Sequence, residues 1–159
     1  MQYSAAIIAN YFIKKARDEN TYVTPMKLIK LIYFAYGWHL AIVGKRLINE
    51  PVCAWRYGPV IESVYQDFKK YGNGPITEEA SNRTDEEQLR QLRVDKIALA
   101  LLDKIWEVYG VYDGIQLSNL THEPDSPWYV AWHAQKGKSH HNFNIDDQLI
   151  KAYFDKRVQ

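Results

Sequence analysis

Apolar residues dominate Thr24 to Leu40, TPMKLIKLIYFAYGWHL. Thr24 can cap a helix start, and Pro25 suits a first turn where a missing N–H costs nothing. Leu28, Leu31, Ile32, Ala35, Trp38 and His39 then recur on one side at helical spacing, while Ile29, Phe34 and Tyr36 are apolar on the others. A helix apolar almost all round belongs in the centre of a fold. Lys27, Lys30 and His39 interrupt it, and it is read as too short to span a membrane.

Around it the pattern predicts further helices. Ser4 to about Asn20 carries the stripe Ile7, Ile8, Tyr11, Phe12 and Ala16, with cations near its C-terminal end. The central helix runs from Pro25 to about Val43 and stops at Gly44. Arg46–Ile48 and Val52–Trp55 read as short extended pieces of a small hairpin about Asn49-Glu50-Pro51. Gly58-Pro59 opens a helix that ends at Gly72. Asn73 to Asp85 is polar and turn-rich, a mobile loop. Glu86 to Tyr109 reads as one long helix, and Asp113 caps a shorter one through Leu120. Trp128 to Ala134 adds a turn or two, and Gln135 to Asn142 is expected to be exposed. Asp146 or Asn144 caps a closing helix with Leu149, Ile150, Tyr153 and Phe154 inward. The expected fold is mainly α: one compact single-domain helical bundle over residues 1–159 around a central buried helix, with at most a small β-hairpin.

A chain of 159 residues buries roughly 70% of its unfolded surface and needs no disulfide or metal to hold it together. The 20 basic and 19 acidic side chains nearly cancel, which argues against a chain living mainly on nucleic acid or anionic lipid. They are unevenly placed: residues 1–70 carry +5, residues 71–132 carry −6 and residues 133–159 carry +2. Such polarity suits steering toward a charged partner, as well as ordinary solvated faces. The one cysteine, Cys53, forbids an internal disulfide and fits a reducing cytoplasm, and the N-terminus lacks a secretory pattern.

Catalytic and metal chemistry find little support. His39, His122, His133, His140 and His141 match no ligand spacing, so no metal or cofactor is expected. His39 reads as a core or interface residue, and Cys53 as a small buried hydrophobe. A DNA-binding helix would need exposed Arg, Lys, Asn or Gln at its start, whereas the helix after Gly58-Pro59 begins Val60-Ile61-Glu62-Ser63. Nucleic acid is therefore not the expected partner. A hydrolase or transferase using His122 with Glu123 or Asp125 is the enzymatic alternative.

Two segments stand out. Ala54-Trp55-Arg56-Tyr57-Gly58-Pro59-Val60 is a rigid corner presenting Trp55, Arg56 and Tyr57, with Gly58 and Pro59 holding its geometry. Leu117 to His122, followed by Pro127-Trp128, is a second, in which Pro127 starts a short helix and fixes Trp128. Both are rich in the residue types of binding hot spots, so Trp55, Arg56, Tyr57, His122 and Trp128 are the candidate partner-binding residues. Packing of each Trp beneath a loop is the competing reading.

The three motifs T-P-M-K-L-x-K-L-x-Y-F-A-x-G-W-H-L, A-W-x-Y-G-P-V-x-x-x-V-Y and L-S-x-L-T-H-x-x-x-S-P-W-x-x-A together resemble the Panacea domain family, the SocA-like antitoxins and phage-associated GepA-like proteins. The resemblance runs from about Ala9 to Phe154. It implies a mostly helical domain acting as the antitoxin of a toxin–antitoxin pair, with a cognate toxin protein encoded beside it as partner. One branch of the family delivers its toxin to a Clp-type protease. The resemblance brings no catalytic residues. A binding function is therefore expected, not an enzyme, with steric neutralisation by the aromatic corners. A phage-associated, DNA-binding autoregulator is the alternative, and a homo-oligomer stays open.

Overall fold

In the computed structural model, which describes residues 2–80, 85–135 and 137–158, the N-terminal stretch begins with a bridge. Tyr3 pairs in parallel with Ile48, its N–H donating to the Leu47 carbonyl at 2.8 Å. Helix α1 (Ala5–Asp18) follows, its first turn closed by Ser4, whose hydroxyl accepts from the Ile7 N–H. Helix α2 (Pro25–Val43) starts on Thr24 and Pro25 as its sequence predicts, and ends where Gly44 adopts a left-handed conformation. It packs against α1 and against three helices from the second half of the chain, α5 (Lys96–Tyr109), α6 (Gly114–Thr121) and α8 (Asp147–Asp155). By length and apolarity α2 would pass as a membrane span, contrary to the expectation from its sequence. Its role in the core explains the composition: Leu28, Leu31, Ile32, Ala35 and Tyr36 have no measurable exposure.

One glycine makes the central packing geometrically exact. Gly37 faces α8, and a Cβ there would lie 2.0 Å from the Phe154 ring. The absent side chain lets Phe154 stack edge-on against Tyr33, Phe34 and Trp38. The start of α8 is held by Asp147, which accepts from the Tyr36 hydroxyl and from Arg46 Nε, both at 2.6 Å.

Four elements differ from what the hydrophobic pattern predicts. The hairpin is not about Asn49–Pro51 but one step later. Strand β1 (Cys53–Trp55) pairs antiparallel with β2 (Gly58–Val60), and Arg56-Tyr57 form the turn. A third strand, β3 (Phe143–Asn144), joins the other edge of β1, in the order β2-β1-β3. Gly58-Pro59 thus lies in a strand and does not open a helix. Pro59 is tolerated because β2 is an edge strand, where a missing N–H loses no ladder bond. Helix α3 begins only at Glu62 and runs to Phe68.

The predicted helix from Glu86 to Tyr109 is two, α4 (Glu86–Val94) and α5. Asp95 leaves helical geometry to cap α5 at the Ala98 N–H and to accept from the Tyr3 hydroxyl at 2.6 Å. Its short side chain offers the backbone an alternative to a continuous helix. In the loop after Gly72, Ile76 and Ala80 are buried. The Asn10 amide bonds both the N–H and the carbonyl of Ala80, and Ile76 N–H donates to the Val23 carbonyl. The expected mobility therefore does not apply to this part, and residues 81–84 lie outside the described residues. Finally, α7 (Pro127–Tyr129) continues into a π-helical stretch, Val130–Ala134, ahead of a 3₁₀ turn at Gly137–Ser139. Ile150 and Phe154 of α8 point inward, with Asp146 as its cap.

Candidate partner-binding site

The two corners singled out in the sequence come together. Trp128 sits at the start of α7, whose first turn is set by Pro127 and by Ser126, its hydroxyl accepting from the Tyr129 N–H. The Trp128 indole N–H donates to the main-chain carbonyl of Trp55 at 2.6 Å. Its ring lies 4.1 Å from that of His122 and stacks on Trp132. Trp128 is only 4% exposed, so it is not a surface anchor. Enclosed by α6, α7 and β1, it is the post on which the hairpin rests.

The turn itself is open. Tyr57 is 67% exposed, Arg56 is exposed beside it with its guanidinium 5.7 Å from the Tyr57 ring, and Trp55 is half-buried. Trp55 meets Tyr65 edge-on and donates its indole N–H to Asn142 Oδ1 at 2.7 Å. Helix α6 braces the turn from below, where Ser118 Oγ donates to the Tyr57 carbonyl. His122 is half-buried, with Nδ1 2.6 Å from the Ser118 carbonyl. The acids of the enzymatic alternative face elsewhere: Glu123 accepts from the Tyr153 hydroxyl and Asp125 pairs with Arg157. Among the described residues no three His, Cys, Asp or Glu side chains gather as a metal site.

Beneath the turn is a residue the sequence reading passed over. Lys30, on α2, is 3% exposed, and its ammonium donates to the Pro59 carbonyl at 3.0 Å. Desolvation pushes its pKa down to about 7, since the charged form loses its water and, among the described residues, no acid compensates. Gly58 makes this approach feasible. It has φ +118°, and a Cβ there would sit 2.6 Å from Lys30 Nζ, 3.1 Å from His122 Cε1 and 3.2 Å from Thr121 Oγ1. Gly58, Lys30, Thr121 and His122 thus close on one point. The signal was a lysine whose i±4 neighbours, Met26 and Phe34, are both apolar.

Two hollows flank the start of α2. One, of about 280 Å³, lies under the turn between Met26, Ile29, Trp55, Tyr57 and Tyr65 and reaches Lys30. The other, of about 620 Å³, is bordered by Tyr22, Met26, Val111, Tyr112 and Ile115. They meet at Met26, Gly72 and Asn73. Tyr22, Val111 and Ile115 are 57, 77 and 69% exposed, so an apolar surface runs from the hairpin tip across the start of α2 to the α5–α6 loop. Sequence periodicity could not show this, because Val111 and Ile115 join Tyr22 only through the packing of α6 on α2.

A small, mainly helical domain with a buried aromatic post and an apolar saddle at one end of its central helix is the class that fold and site define. The Antitoxin SocA-like, Panacea domain family matches residues 28–129, and the chain belongs to it. The chain is also similar to Antitoxin SocA of Caulobacter vibrioides (strain NA1000 / CB15N), 27% identical over 156 residues that cover 94% of this chain and 81% of that protein. No solved structure matches.

Proposed function

We propose that this chain is an antitoxin that neutralises a cognate toxin protein by direct binding, through the saddle formed by the β1–β2 turn, the start of α2 and the α5–α6 loop. The observation that carries this reading is the exposure of Tyr57, Tyr22, Val111 and Ile115 around two adjoining hollows at the start of α2. Contiguous exposed apolar surface is characteristic of protein interfaces, and a few aromatic anchors in such a surface supply most of the affinity. The anchor role drawn from the sequence passes from Trp128 to Tyr57 and Trp55, with Arg56 at the rim and His122, Gly58, Pro59 and Pro127 behind them. Neutralisation is steric: the toxin surface that docks here is covered, with no chemical step.

Co-expression with the neighbouring gene product tests this. Wild type restores growth and co-purifies with the toxin. Tyr57→Ala combined with Ile115→Ser folds normally but loses both. Full rescue by the folded double variant places the toxin on another face.

A further inference from the structure

Lys30 has an unusual situation for a lysine. Its ammonium has three N–H donors, is buried, and among the described residues donates to one acceptor, the Pro59 carbonyl. Among the described residues no acid pairs with it. Taking such a group out of water is costly unless hydrogen bonds and an opposite charge compensate. The 280 Å³ cleft that reaches it is mostly apolar, walled by Met26, Ile29, Trp55, Tyr57 and Tyr65. The charged residues of its wall are Lys30 and Lys69, both cationic. Its edge is formed by Pro25 in the first turn of the 19-residue α2, the positive end of that helix dipole. Gly58 lets the hairpin backbone close over the ammonium where any side chain would collide. An aromatic chamber that ends in an uncompensated cation complements an apolar group bearing a carboxylate.

We propose that this cleft receives a carboxylate of the toxin, an Asp, Glu or chain-terminal carboxyl flanked by apolar residues, and that Lys30 is its counter-ion. This rests on the partner-binding reading above and names the chemistry of one contact within it. The carboxylate accepts from the two ammonium donors left over by Pro59, while its apolar neighbour fills the space between Trp55 and Tyr65. Without water, such a charge-assisted contact is stronger than the same pair at the surface. The remaining saddle supplies area, and the Lys30 contact supplies register.

The test uses the full chain and the neighbouring gene product, with Lys30→Met, Lys30→Gln and Tyr57→Ala compared by calorimetric titration. The two Lys30 variants are expected to fold and to bind at least tenfold more weakly. Among toxin variants with single acids changed to their amides, or with a glycine added after the last residue, one should weaken binding equally and show no further loss with Lys30→Met. In the complex, ¹⁵N NMR of the Lys30 side chain should report an ammonium that persists to higher pH than in the free chain, a change a purely structural lysine would not show. If Tyr57→Ala weakens binding but neither Lys30 variant does, the carboxylate contact is overturned and the partner-binding reading stands. If none of the three weakens binding, both are overturned. If the Lys30 variants weaken binding but no toxin change does, and 3-phenylpropionate alone protects the Lys30 ammonium in the free chain, the occupant is a small carboxylic acid and the proposal fails.

Discussion

The indole N–H of Trp128 donates to the main-chain carbonyl of Trp55 at 2.6 Å, and with the Ser118 hydroxyl donating to the Tyr57 carbonyl it joins the two aromatic corners of the chain. It divides labour between them. Trp128 is buried beneath the hairpin, while the hairpin holds Tyr57 out into solvent. A buried indole that lacked an acceptor would cost free energy, so the Trp55 carbonyl fixes where the strand must lie.

Trp128→Ala should therefore destabilise the whole domain. Loss of a buried tryptophan costs about 3–5 kcal/mol. Chemical denaturation should show that loss, and Trp128→Phe, which keeps much of the volume but lacks the N–H, should fall between it and wild type.

Tyr57→Ala should do the opposite. The ring is 67% exposed, and exposed substitutions usually change stability by less than about 0.5 kcal/mol. Its thermal midpoint should match wild type, while affinity for the toxin drops by more than about 1 kcal/mol, as expected for an anchor. Unchanged affinity in a titration would remove Tyr57 from the interface.

Gly37→Ala tests the packing of α8 on α2. A methyl group would strike the Phe154 ring, which is wedged among Tyr33, Phe34 and Trp38 and has little room to yield. Overpacking of this kind costs about 1–3 kcal/mol. The helix preference of alanine over glycine works in the other direction by about 1 kcal/mol, so a net loss in denaturant midpoint is expected and a net gain would show that Phe154 moves freely.

Lys30 gives stability a pH dependence of definite sign. Below its folded value of about 7 the lysine is charged in both the folded and the unfolded chain, and the full cost of burying it is present. Between that pH and the ordinary lysine range the folded chain holds it neutral while the unfolded chain remains protonated, so this contribution to stability rises with pH. Lys30→Met should then be more stable than wild type at pH 6, with the advantage shrinking by pH 9, as thermal melts at the two values would show.

Some of this was written in single residues. Thr24 and Pro25 start α2, Gly44 ends it and Asp113 caps α6, each through local backbone chemistry that needs no distant partner. Where a residue's partner lies far along the chain, local reading misled. Asp95 breaks a helix because Tyr3 waits for it 92 residues away, and Gly58-Pro59 is an edge strand because Cys53–Trp55 offers it a ladder. The Trp128 ring looked like an exposed hot spot because proline-fixed corners and core posts have the same composition.

Sequence by itself determined where α1, α2, α6 and α8 run, the burial of the central one and the family, since caps, periodicity and motif spacing act over a few residues. Only the tertiary structure decided which aromatic faces solvent and that Lys30 lines a cleft beneath the hairpin. Burial depends on which surfaces meet, and here the meeting residues come from α2, the hairpin and α6, separated by long stretches of chain.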